Sequence, residues 1–77
     1  MDYSYLNTLL MNEYADVITY VNLSKECEGV ESQVLRDIAR EEFTHAKHLK
    51  MLLSNNKELM KGYEKAECDA VEALDSV

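Results

Sequence analysis

The segment Ser24-Lys-Glu-Cys-Glu-Gly-Val-Glu-Ser32 decides the fold, because it separates two long stretches in which apolar residues recur every three or four positions. Gly29 suits the left-handed conformation that closes a helix, and Ser32 is a candidate N-cap for the next one. The sequence therefore predicts one helix over about residues 3–27 and a second over about residues 31–54. A connection this short makes the two helices antiparallel, as a helical hairpin.

A weaker apolar pattern follows the second helix. Ser54-Asn55-Asn56 indicates a break, beyond which apolar residues at helical spacing continue over residues 57–75. We interpret this stretch as a shorter third helix, with a frayed tail as the alternative, since Gly62 costs roughly 1 kcal/mol relative to alanine. The chain has no proline and no alternating β-branched run, so the predicted fold class is all-α: a hairpin plus a short C-terminal helix in a single domain.

Composition limits what the chain can do. It has 77 residues, with 15 acidic against 8 basic side chains and a net charge of −7, which disfavours nucleic acid as a partner. A chain this short buries only roughly 60% of its unfolded surface, so we expect a metal or oligomerisation to add stability. Cys27 and Cys68 form no C-x-x-C motif and are expected to be reduced thiols filling small apolar spaces. With no membrane-length apolar run and no signal-peptide pattern, we expect a soluble, cytoplasmic protein without membrane contacts.

Ionisable residues stand at the centres of both apolar stripes, where core residues are expected. The first stripe comprises Leu6, Leu10, Glu13, Val17, Tyr20 and Ser24, and the second comprises Leu35, Ile38, Glu42, His45, Leu49 and Leu52. An unpaired carboxylate at a core position costs several kcal/mol, so each needs a partner. In an antiparallel hairpin whose turn is centred near residue 28, Glu13 of the first helix lies opposite Glu42 and His45 of the second. Glu42 and His45 are three positions apart and project from one face of their helix. The three groups are therefore predicted to converge.

Two carboxylates and a neutral imidazole suit Fe²⁺, Mn²⁺ or Zn²⁺. One chain supplies half of the ligands of a di-iron carboxylate bundle, in which two helices each give a Glu and two others each give Glu-x-x-His. Two hairpins about a two-fold axis would supply four Glu and two His, which balance two divalent cations. One alternative is that Glu41 is buried instead of Glu42 and both faces are solvated. Another is a non-catalytic helical association module whose polar core residues give pairing specificity.

Two stretches of the sequence resemble a known protein superfamily. Ile38-Ala-Arg-Glu-Glu-Phe-Thr-His-Ala-Lys-His-Leu49 resembles the second metal-binding helix of ferritin-like and rubrerythrin-like proteins, and Asn12-Glu-Tyr-Ala-Asp-Val-Ile-Thr-Tyr20 resembles the first. Over about residues 9–52 the chain is similar to encapsulated ferritins, two-helix proteins that build a ferroxidase centre between subunits.

That resemblance implies a function. Glu13, Glu42 and His45 would be the metal ligands and catalytic residues, and Tyr20 would lie beside the centre. It implies a homodimer, or a larger even-numbered oligomer, that forms a ferritin-like four-helix bundle with two iron ions per dimer interface. The implied activity is oxidation of Fe²⁺ by O₂ or peroxide.

The chain also departs from these families. The acidic iron-entry residues of encapsulated ferritins are replaced by Asn12 and Ala15, with only Asp16 nearby. Residues 66–77 are predicted to be helical, which leaves no flexible linker for a shell-targeting peptide, so housing in a protein shell is unsupported. No paired C-x-x-C motif supplies electrons as the rubredoxin module of rubrerythrins does. This favours ferroxidase chemistry, with rubrerythrin-like peroxide reduction as the alternative.

Overall fold

The computed structural model describes residues 2–54 and 62–77, and these residues form three α-helices. The helices are α1 (Tyr3–Ser24), α2 (Gly29–Leu53) and α3 (Tyr63–Asp75). The prediction of an all-helical chain with three helices is confirmed. Within the described ranges, no helix has both the length and the apolar composition needed to cross a bilayer.

The helix ends differ from the predicted ones by a few residues. Asp2 caps α1, because its carboxylate accepts a hydrogen bond from the Tyr5 amide at 3.1 Å. The other end of α1 lies at Ser24 rather than at residue 27. The predicted break at Asn55-Asn56 and the predicted start of the third helix at residue 57 fall outside the described residues. Ser54 of that break directly follows the end of α2.

The turn shows one error in the sequence analysis. Gly29 has a φ of +66°, as predicted, but it is the first residue of α2. Ser32 is therefore not the N-cap, a position that Glu28 occupies without a side-chain hydrogen bond. Instead, Ser32 lies inside α2, 5% exposed, and its hydroxyl donates to the Ser24 carbonyl at 2.8 Å. This hydrogen bond ties the start of α2 to the end of α1.

The buried residues of the hairpin coincide only partly with the predicted apolar stripes. The two helices are antiparallel, because Ser32 meets Ser24 at the turn while Glu13 and His45 meet farther along. The fully buried side chains of α1 are Leu10, Tyr14, Val17, Val21 and Ser24, and those of α2 are Ser32, Ala39, Ala46 and Leu53. None of the six predicted stripe residues of α2 is fully buried. Three of the four buried α2 residues, Ser32, Ala39 and Ala46, are small, and at a spacing of seven they let the two backbones approach closely.

α3 packs along the hairpin and contacts α1 more extensively than α2. Its inward side chains are both small and large: Ala70 is fully buried, and Tyr63, Ala66, Ala73 and Leu74 pack against the core. Cys68 lies on the outward face of α3 and is exposed, so its prediction as an apolar filler is wrong. Cys27 is half-buried at the turn end of the hairpin.

Replacement of Gly29 by alanine tests the turn. The left-handed φ of +66° disfavours any Cβ, although no atom lies within 4 Å of the place it would occupy. We therefore expect Gly29→Ala to lower the free energy of unfolding by about 1 kcal/mol, through backbone strain rather than a clash. Urea denaturation followed by circular dichroism measures this change. Glu31→Ala, in the exposed first turn of α2, is the control and should change stability by less than half as much. Equal effects would contradict the strain argument.

Candidate metal centre

Three polar side chains meet midway along the hairpin. Glu13 projects from α1, and Glu42 and His45 project from α2. One ligand atom from each residue lies within 4.8 Å of the other two. His45 Nδ1 is 3.8 Å from Glu13 Oε2 and 4.0 Å from Glu42 Oε1. The three residues that the sequence singled out are therefore brought together by the fold.

The phase of α2 decides which carboxylate faces α1. Glu42 is half-buried, whereas its neighbour Glu41 is exposed. The alternative in which Glu41 is the buried residue is therefore wrong. His48 is also exposed and lies outside the cluster. The spacing of Glu42 and His45, three residues apart, keeps both on the side of α2 that Glu13 faces.

The electrostatics of the cluster centre on Glu13. Burial raises the pKa of its carboxyl from 4.5 to about 7, with the adjacent Glu42 carboxyl adding to the shift and His45 opposing it. Glu13 Oε2 has almost no solvent contact and has no hydrogen-bond partner among the described residues. A buried oxygen without a partner costs about 1–3 kcal/mol, so the arrangement favours a bound proton or a cation.

Access to the cluster is through His45. The His45 side chain is 55% exposed, while those of Glu13 and Glu42 are 22% and 20% exposed. Two carboxylates and an imidazole are a donor set that fits a borderline divalent cation such as Fe²⁺, Mn²⁺ or Zn²⁺. Three protein ligands do not fill the coordination shell of any of these ions. Positions on the exposed side stay available for water, a substrate or groups of a second chain.

The surface around the cluster is apolar and only partly covered. Leu35, Ile38 and Leu49 are half-buried, and Leu52 is 50% exposed. We call Leu35, Ile38, Glu42, His45, Leu49 and Leu52 the ligand face of α2. The hydrogen bonds of α3 to the hairpin lie outside this face, at Tyr14 and Lys50.

Two tyrosines of α1 are buried to different extents: Tyr14 fully and Tyr20 partly. Tyr20, predicted to lie beside the centre, is half-buried against the core, and no hydrogen bond joins its hydroxyl to another described side chain. Its role beside the centre stays a prediction. Tyr14, absent from the predicted stripe, is 1% exposed, and its hydroxyl donates to Glu67 Oε2 at 2.9 Å. The signal was present, since Tyr14 stands four residues after Leu10 and three before Val17.

Comparisons with protein-family models, with curated proteins and with solved structures give no match for this chain. A functional argument therefore depends on the chemistry of Glu13, Glu42 and His45 and on the residue pattern around them.

Proposed function

We propose that the chain binds divalent iron through Glu13, Glu42 and His45, and that two copies share a pair of iron ions which the assembly oxidises from Fe²⁺ to Fe³⁺. The observation that carries the proposal is the convergence of three ligand atoms within 4.8 Å, together with a buried Glu13 Oε2 that has no hydrogen-bond partner among the described residues. The resemblance of both helices to those of ferritin-like proteins supports iron as the metal. The same donor set also accepts Mn²⁺ or Zn²⁺.

Pairing of two copies is proposed for two reasons. The first is ligand count, since two clusters give the four Glu and two His of a di-iron carboxylate bundle. Four carboxylates balance the charge of two divalent cations, whereas one cluster alone leaves a cation incompletely coordinated. The second reason is the partly exposed apolar ligand face of α2, which a second hairpin would cover. Packing of the two ligand faces would form a four-helix bundle around the metals.

Each residue has a distinct part in the proposed reaction. The chemistry that iron supplies when bound is one-electron transfer to O₂ or peroxide. Burial favours the protonated form of Glu13, which would lose this proton when a metal ion binds. The Glu13 carboxylate would then stabilise the positive charge of the ion in a site with little water. Glu42 provides the second carboxylate. His45 contributes a neutral imidazole nitrogen on the exposed side, where the oxidant has access.

Iron oxidation by matched variants tests this proposal. Protein loaded anaerobically with Fe²⁺ and then mixed with air should show fast ferric absorbance in the wild type. Glu42→Ala should abolish the fast phase and weaken metal affinity by more than about 100-fold, because loss of groups that merely support a ligand already costs 10–100-fold. The control is Glu41→Ala, which removes the neighbouring, exposed carboxylate and should retain the wild-type rate. Equal rates for all three proteins would refute the proposal.

A non-catalytic association module is the second candidate, and the apolar ligand face favours it independently of any metal. Elemental analysis after purification without chelator separates the two functions. The module predicts no bound metal and the same melting temperature with and without chelator. The iron centre predicts bound metal and a lower melting temperature after chelation. Steady-state turnover of peroxide with an added reductant would instead indicate a peroxide-reducing centre.

A further inference from the structure

The interface of α3 with the hairpin is smaller than that between α1 and α2. The inward residues of α3 are Ala66, Ala70 and Ala73 together with the larger Tyr63 and Leu74. By contrast, α1 and α2 pack along most of their length through the buried set described above. α3 is therefore attached to the hairpin less extensively than α1 and α2 are to each other, and its polar contacts add to a limited apolar interface.

One polar junction links all three helices. Glu67 Oε2 of α3 accepts hydrogen bonds from the Tyr14 hydroxyl of α1, at 2.9 Å, and from Lys50 Nζ of α2, at 2.8 Å. Lys50 also lies 4.7 Å from the centre of the Tyr63 ring, at the start of α3. Glu67 is the single carboxylate that contacts both helices of the hairpin among the described residues.

Burial decides how much this junction contributes. The Lys50 and Glu67 side chains are about one third exposed, so solvent screens this ion pair. Tyr14 is 1% exposed while α3 is docked, and Glu67 is then the only described partner of its hydroxyl. A docked α3 without the Glu67 carboxylate would leave this buried hydroxyl without its acceptor. The Tyr14 hydrogen bond is thus the larger part of the junction.

We propose that α3 is a releasable strap, locked by the Glu67 carboxylate across Tyr14 and Lys50, which opens as one unit while the α1–α2 hairpin stays folded. Opening uncovers the part of α1 around Tyr14 that α3 packs against. This part of α1 is a second surface, distinct from the ligand face. The strap does not depend on metal binding.

The lock responds to acid. Burial alone would raise the pKa of Glu67, but the hydrogen bonds from Lys50 and Tyr14 outweigh it and lower the pKa below 4.5. The titratable groups facing Glu67 are Tyr14 on α1, Lys47 and Lys50 on α2 and Tyr63 on α3. Because the docked pKa is lowered, the stabilisation is complete above pH 4.5 and is lost as the pH falls through the docked value.

Hydrogen exchange read by mass spectrometry on the full chain tests the strap. At pH 7, Glu67→Gln should accelerate exchange of α3 amides about tenfold, with exchange in the α1 and α2 segments unchanged within twofold. In the wild type, α3 protection corrected for intrinsic rates should fall below pH 4.5 towards that of the variant. Tyr14→Phe, which keeps the ring but removes the donor, should also accelerate α3 alone.

The matched control is Asp69→Asn, which removes an α3 carboxylate whose one ion pair among the described residues is with Lys65 on its own helix. It should change α3 exchange by less than threefold. Two results would overturn the strap. One is unchanged α3 protection in Glu67→Gln, and the other is equal acceleration in all three helices, which would make α3 part of a single cooperative unit.

Discussion

Glu13→Gln is expected to stabilise the metal-free protein and to abolish its metal binding. The fold holds Glu13 where burial and Glu42 raise its pKa to about 7, so above that pH the folded state carries a partly buried charge that destabilises it. Glutamine keeps the shape and carries no charge. We expect a gain of about 1–2 kcal/mol at pH 8, after allowance for partial solvent access, and a melting temperature higher by roughly 5–10 °C. Calorimetry of chelated protein and titration with Fe²⁺ measure the two effects.

The pH dependence of the free energy of unfolding tests the same prediction. A carboxyl whose pKa is raised by folding contributes stability below its unfolded pKa of 4.5 and loses it as the pH rises through about 7. Metal-free wild-type protein should therefore become less stable between pH 5 and 8, while Glu13→Gln should not show that component. Metal affinity should rise over the same interval, because binding releases the proton of Glu13.

The control for Glu13→Gln is Asp16→Asn. Asp16 carries the same charge, is exposed and adds only slightly to the shift at Glu13. This variant should retain metal binding and change the melting temperature by no more than about 2 °C. A Glu13→Gln protein that is less stable than the wild type at pH 8 would contradict the burial argument.

Metal-driven pairing is the second large effect that we expect. Adding Fe²⁺ without oxygen should shift the solution mass from that of one 77-residue chain towards twice that mass, with two metal ions per pair. Leu52→Lys places a charge on the ligand face without touching a ligand. Since Leu52 is 50% exposed in the single chain, the folded monomer should tolerate it while pairing fails. Sedimentation with and without metal measures the outcome.

Met51→Lys is the matched control for pairing. Met51 is 71% exposed, precedes Leu52 directly and lies about 100° around α2 from it, in the groove beside α3. This variant should pair as the wild type does. A metal-loaded protein that stays monomeric, or equal loss of pairing in both variants, would remove the support for a shared centre.

The hairpin and the cluster were predictable because both depend on local spacing. Glu42 and His45 share a face through their separation of three residues, and the turn near Gly29 sets their level relative to Glu13. These are properties of one helix or one connection, so a single sequence contains them.

The buried face of α2 and the docking of α3 were not predictable in the same way. Ala39 and Ala46 are fully buried, yet alanine is common on exposed helix faces and gives little hydropathy signal. The Tyr14–Glu67 hydrogen bond joins residues 53 positions apart, and no local pattern encodes such a pair. Ser32 was misassigned because serine suits a helix cap and a buried helix–helix hydrogen bond equally well.

The methyl-sized side chains of Ala39 and Ala46 have an evolutionary consequence. They flank Glu42 along α2 and set the distance between the backbones of α1 and α2. That distance fixes how far the Glu13 side chain must reach to approach Glu42 and His45. Larger residues there would widen that gap even with every ligand retained. We therefore expect natural selection to constrain these two inconspicuous alanines as tightly as the acidic pair they space.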